Sequence, residues 1–157
     1  MFKAYLFDWG DTLMVDFPDA QGKMCDWKHV EAIDGAELVL STISIQSKIF
    51  IATSANESTE SDIRSAFNRV GLDKYITGYF CKANLGLAKG TPEFYLKIVD
   101  EIGLQPNQVV MIGDTFSKDI QPAIQAGLSA RWFNPKRAES PLAQDFDQFT
   151  HLSELIS

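Results

Sequence analysis

Val109-Val110-Met111-Ile112-Gly113-Asp114-Thr115-Phe116-Ser117-Lys118-Asp119 is the stretch that decides the fold. Four apolar residues run without polar alternation, and a glycine and an acid end the run. An uninterrupted run of this length suits a strand covered on both faces, as in a parallel sheet. A helical pattern follows from about Lys118 to Ala126 and closes at Gly127.

Outward from this unit the same grammar repeats. Lys3 to Phe7 is apolar and aromatic and ends at an acidic, glycine-containing turn, which predicts a buried first strand. Lys48 to Thr53 predicts a second strand, Tyr79-Phe80-Cys81 a third and Ser129 to Phe133 a fifth, with Phe146 to Phe149 as a short edge strand. Between them, Asp34-Gly35 opens a helix carrying Ala36, Leu38, Val39, Leu40 and Ile43. Ser58 is the expected cap of a helix to Val70, with Ile63, Ala66, Phe67 and Val70 on one face and Gly71 at its end. Thr91 and Pro92 open another, which runs to Gly103. A last helical turn is expected from Leu152 to Ile156. Strands alternating with helices predict an α/β fold: one Rossmann-like, three-layer domain over residues 1–157 with a parallel sheet of about five strands. Residues 14–31 lack periodicity and carry Asp16, Asp19 and Asp26 beside Phe17, Met24 and Trp27, which suggests a flap or loop over the site.

The chain has 157 residues, 45% of them hydrophobic and 22% charged, enough for one well-filled core. A net charge of -7 argues against gripping nucleic acid or an acidic membrane as a main task, since both need a basic surface. A small anionic substrate is still compatible, because a metal and one lysine can reverse the local field. Cys25 and Cys81 fit no disulfide or metal spacing, the N-terminal apolar run is too short for a signal peptide, and no stretch could span a bilayer. A soluble, cytoplasmic protein is expected. The two histidines, His29 and His151, are isolated, which argues against a histidine triad or a zinc cluster. Serine-hydrolase, P-loop and dinucleotide-binding signatures are missing as well.

Ligands of open parallel sheets bind beyond the carboxyl ends of the strands. The chemically capable residues fall there: Asp8 after the first strand, Thr53 and Ser54 after the second, Asp114 and Asp119 after the fourth, with Lys89 before a helix. Acids arriving from different strands make an all-oxygen donor set, which favours Mg²⁺ over zinc. A lysine among them would neutralise an anionic substrate, and a hydroxyl at a strand end can donate to a phosphate oxygen. Thr53 is the first choice for that donor, with Ser54 as its competitor.

Phe7-Asp8-Trp9-Gly10-Asp11-Thr12-Leu13 resembles the first motif of the haloacid dehalogenase superfamily, D-x-D-x-T-L after an apolar strand. Ile49 to Thr53 resembles the second, Lys89-Gly90-Thr91-Pro92 the third, and Gly113-Asp114 to Asp119 the fourth, G-D-x-x-x-x-D. Four motifs in order at predicted strand ends are far more specific than any one of them. The resemblance implies a Mg²⁺-dependent phosphohydrolase in which Asp8 becomes an aspartyl-phosphate. Asp8, Asp114, Asp119 and the Gly10 backbone carbonyl would hold the metal; Thr53, Ser54 and Lys89 would bind the phosphorylated substrate, and Lys89 would also orient Asp8.

One position departs from the pattern. Phosphatases of the superfamily carry a second Asp two residues after the nucleophile, as acid and then base; here that residue is Gly10 and the acid comes one later, at Asp11. Asp11 is open between a catalytic role and a turn acid bonded to local backbone. The alternatives that follow are a catalytically weak member that binds phospho-ligands or a protein partner, and a hydrolase of carbon–halogen or carbon–phosphorus bonds. The intervals from Leu13 to Asp34 and from Thr53 to Lys89 are too short for a substantial cap domain. A capless, open site suits a large substrate or cover by a second copy in a homo-oligomer.

Overall fold

The computed structural model describes residues 1–141 and 146–157. Six parallel strands lie in the order β3-β2-β1-β4-β5-β6: β1 (Ala4–Phe7), β2 (Lys48–Ala52), β3 (Gly78–Phe80), β4 (Val109–Gly113), β5 (Ser129–Phe133) and β6 (Gln148–Phe149). The helices are α1 (Ala36–Ile43), α2 (Glu60–Arg69), α3 (Lys82–Leu85), α4 (Pro92–Ile102) and α5 (Gln121–Gln125).

Side chains of a strand alternate between faces, and both faces of this sheet are apolar. Phe7, Ile49, Ile51, Val110 and Ile112 pack with Val39, Leu40, Ile63 and Phe67 of α1 and α2. Leu6, Phe50, Val109 and Met111 pack on the other side with Phe94, Tyr95, Ile98 and Ala123 of α4 and α5. The three-layer α/β reading is therefore correct. The sheet has six strands rather than five because the short edge strand joins it, Trp132 pairing with Gln148 and Phe133 with Phe149. Phe146 lies outside that strand and packs edge-on against Phe116, with ring centroids 4.7 Å apart.

The strand order reverses between β1 and β4, and this is where a doubly wound sheet opens a crevice. Phe7 pairs with Ile112 and the Asp8 amide donates to the Ile112 carbonyl at 2.9 Å, so Asp8 and Gly113-Asp114 leave the sheet side by side.

Local structure departs from the sequence expectation in three places. The cap of α2 is Thr59, not Ser58. Thr59 Oγ1 accepts the Asp62 amide at 3.2 Å and Asp62 Oδ2 accepts the Thr59 amide at 2.9 Å, a reciprocal capping box that Ser58, one residue earlier, cannot form. The helix after β4 begins as a π-turn over Phe116–Ile120 before α5. Pro122 has no N–H to return to the Lys118 carbonyl, so the regular ladder cannot form there; the Tyr95 hydroxyl of α4 donates to that carbonyl instead, at 2.8 Å. The third departure is α3, a single turn that no periodicity announces.

Residues 14–31 form a loop fastened at its base and along its length. The Val15 amide donates to the Glu31 carbonyl at 2.9 Å and Ile33 to Leu13 at 2.8 Å. Met24 is buried in the core, Lys23 pairs with Asp62 of α2 at 2.9 Å, and Arg69 donates to the carbonyls of Cys25 and Trp27. No inserted cap domain exists among the described residues, and none of their helices is long and apolar enough to cross a membrane.

Candidate active site

A cavity of about 440 Å³ opens at the carboxyl ends of the strands. The sequence-predicted residues Asp8, Gly10, Asp11, Thr53, Ser54, Lys89, Asp114 and Asp119 all line it. It is walled on one side by the loop residues Asp16, Lys23, Met24 and Trp27.

Its centre is a buried lysine among acids. Lys89 Nζ lies 2.6 Å from Asp8 Oδ1, 3.0 Å from the Ala52 carbonyl and 2.7 Å from Asp119 Oδ1. An ammonium has three protons, and three oxygens face it. The Asp119 Oδ1 contact completes the ion-pair bridge from Asp8 through Lys89 to Asp119. Burial by itself would pull the Lys89 pKa down; the charges of Asp8 and Asp119 override it and hold the ammonium well above its ordinary range. Burial likewise pushes Asp8 up, but Lys89 beside it wins and keeps the carboxylate ionised.

Asp119 is fully buried because Gly113 lets it be. A Cβ on Gly113 would overlap the Asp119 carboxyl group, so only glycine allows the acid to fold back over β4. Its Oδ2 accepts the Thr115 amide at 3.0 Å, and the π-turn aims it inward. Burial and the Asp8 charge raise its pKa to about 6.

Asp114 is half-buried. The Thr12 hydroxyl stands between Asp8 Oδ2, at 3.2 Å, and Asp114 Oδ1, at 3.4 Å, and its single proton serves one at a time. Burial, the hydrogen bond with Asp8 and the charges of Asp8, Asp119 and Asp11 push Asp114 up to about 8. The ligand oxygens of Asp8, Asp114 and Asp119 lie within 4.8 Å of one another. Three ionised carboxylates against one ammonium would leave a surplus of two negative charges, which adds to burial in raising Asp114 and Asp119. The all-oxygen donors and their spacing fit a hard divalent cation.

Thr53 is buried, and its Oγ1 accepts the Ala55 amide at 3.1 Å, so the hydroxyl proton is free to point into the cavity. Ser54 lines the cavity beside it. Asp11 has φ 61°, a left-handed conformation that aspartate tolerates better than most residues. Its carboxylate accepts the Asp16 amide at 3.0 Å, the local backbone bond that was one of its two readings.

Two residues were not singled out from sequence. Thr12 could have been, since it lies in the first motif four residues after Asp8. Asp16 could not: its place against Gly10 depends on the path of the loop. A Cβ on Gly10 would stand 3.3 Å from Asp16 Cβ and 3.4 Å from its Oδ2. Burial and the charges of Asp11 and Asp8 raise the Asp16 pKa.

A doubly wound α/β fold with a carboxylate–lysine–carboxylate centre at its switch point defines the class of protein. Residues 10–127 match the haloacid dehalogenase-like hydrolase family, and the chain belongs to it. It is 26% identical over 141 residues to the pyrimidine 5'-nucleotidase YjjG of Escherichia coli, spanning 85% of this chain and 59% of that protein. It is 26% identical over 116 residues to the N-acylneuraminate-9-phosphatase of Mus musculus, spanning 73% of this chain and 45% of the relative. The chain thus covers about half the length of these curated relatives. Among solved structures it is similar to a 2-haloacid dehalogenase of Pseudomonas syringae, with a TM-score of 0.82 at 17% identity over 99% of this chain and 97% of the other. It is also similar to the putative HAD-hydrolase YfnB of Bacillus subtilis, with a TM-score of 0.79 at 16% identity over 98% and 96%. At such identities these two structures speak for the fold alone.

Proposed function

We propose that this chain is a Mg²⁺-dependent phosphohydrolase acting on phosphorylated small molecules through an aspartyl-phosphate on Asp8. The observation that carries the reading is the Lys89 bridge, at 2.6 Å to Asp8 and 2.7 Å to Asp119, beside an acid cluster whose oxygens lie within 4.8 Å. Support comes from relatives named as phosphatases and nucleotidases.

Asp8, Asp114 and Asp119 would hold Mg²⁺, with the Gly10 carbonyl as a further oxygen; when bound, the ion offsets the repulsion between an anionic nucleophile and an anionic substrate. Lys89 fixes the Asp8 rotamer and keeps it ionised, which a nucleophilic carboxylate requires. Thr53 donates its free hydroxyl proton to a phosphoryl oxygen, with Ser54 alongside. Asp8 attacks phosphorus, the bond to the leaving oxygen breaks, and water then cleaves the acyl phosphate to regenerate Asp8.

Purified protein given an aryl phosphate with Mg²⁺ should release phosphate, and chelation should stop it. Asp8→Asn should reduce release to background. Equal rates in the variant and the wild type would end the proposal.

A further inference from the structure

The mechanism above lacks a proton donor for the leaving oxygen, because position 10 is glycine. The structure assigns that role to Asp16: we infer that it is a catalytic residue that protonates the leaving oxygen and then takes the proton of the attacking water, in place of the carboxylate missing at Gly10. The inference rests on the phosphohydrolase reading and deepens it.

Three observations carry it. Asp16 Oδ2 stands 3.4 Å from where a Gly10 side chain would begin, so its carboxylate borders the volume that a position-10 acid would fill. Asp16 lines the same cavity as Asp8, Thr53 and Lys89. Its location is built: Asp11 turns back in a left-handed conformation and accepts the Asp16 amide at 3.0 Å, while Val15 beside it is tied to Glu31 at 2.9 Å. Asp11 is therefore a positioning residue. The exchange of glycine and acid at positions 10 and 11 removes one carboxylate and uses the next to seat a third. Asp16 is solvent-exposed, so proton exchange with water is open to it between turnovers.

The protons and bonds balance. In the first step Asp8 Oδ bonds to phosphorus, the phosphorus–oxygen bond to the leaving group breaks, and protonated Asp16 gives its proton to that oxygen. In the second, Asp16 takes a proton from water as the water oxygen bonds to phosphorus and the Asp8–phosphorus bond breaks. Asp16 is thereby protonated again.

Asp16→Asn keeps the shape and removes the proton. On alkyl phosphates it should lower turnover by about 10²-fold or more, the usual scale of acid–base help. On p-nitrophenyl phosphate, whose leaving group needs no proton, it should give a burst of about one nitrophenolate per Asp8, followed by a slow steady state, because only the second step still needs a base. Adding Gly10→Asp to Asp16→Ala should recover alkyl-phosphate turnover. A structural role for Asp16 would slow both substrate classes equally, show no burst and resist the Gly10→Asp rescue, and that result would overturn the inference. Unchanged alkyl turnover in Asp16→Asn, with Asp8→Asn inactive, would remove Asp16 from the mechanism and leave the phosphohydrolase reading intact. Activity that survives Asp8→Asn, or no turnover in the wild type, would bring down both.

Discussion

The two walls of the cavity are made in opposite ways. On the inner wall Asp8, Lys89 and Asp119 are buried, and each charge faces an opposite one within 2.7 Å. On the outer wall Asp11 and Asp16 are exposed on a loop held by backbone bonds, an anchoring methionine and a half-exposed ion pair. Water can replace a lost partner on the outer wall; on the inner wall nothing can. The inner geometry is therefore enforced by folding itself, whereas the outer geometry can be altered at small cost to stability. Substitutions should divide accordingly, with loss of fold and function together on one side and loss of function alone on the other.

The most damaging should be Gly113→Ala. The added methyl overlaps the Asp119 carboxyl group and β4 has no slack, so we expect a loss above roughly 4 kcal/mol, seen as absent soluble protein or a collapsed melting temperature. A variant that melts like the wild type would show that the inner wall is not packed as described. Lys89→Met should cost about 3–5 kcal/mol in urea denaturation, because it leaves two buried carboxylates facing each other without their cation; Mg²⁺ should restore part of that stability. Tyr95→Phe removes the hydroxyl that donates to the Lys118 carbonyl and should cost about 1 kcal/mol.

The smallest effect belongs to the outer wall and depends on pH. The Thr59 amide and Lys23 lower the Asp62 pKa from 3.8 to about 2. A depressed carboxylate stabilises fully above its unfolded value and loses that contribution as pH falls through the folded one. The melting difference between wild type and Asp62→Ala should therefore be constant near neutrality and shrink between about pH 4 and pH 2. A difference that grew on acidification would contradict the assignment.

Much of this was legible in the sequence, for a physical reason. Strands buried on both faces must be continuous apolar runs, so β1, β2 and β4 announce themselves, and the polar residues ending them mark the cavity: Asp8, Thr53 and Asp114 sit where the runs stop. Details decided by small energies or distant partners were not legible. Ser58 and Thr59 are both good caps, and only the reach of Asp62 chooses between them. The π-turn needs Pro122 and, from another helix, the hydroxyl of Tyr95. The direction of Asp11 follows from a left-handed φ that periodicity does not encode, and Asp16 is placed by the path of the whole loop.

The Tyr95 bond has a consequence for how this end of the molecule moves. Lys89, just before α4, touches the ends of β1 and β2, while Tyr95, on the same helix, holds the turn after β4. One helix and the lysine that leads into it thus clasp three loops. Unzipping any of them requires lifting α4, so transient opening should be all-or-none there. Amide protons of Asp8, Thr53 and Asp119 should then exchange with deuterium at a single shared rate, slower than those of the loop around Asp19.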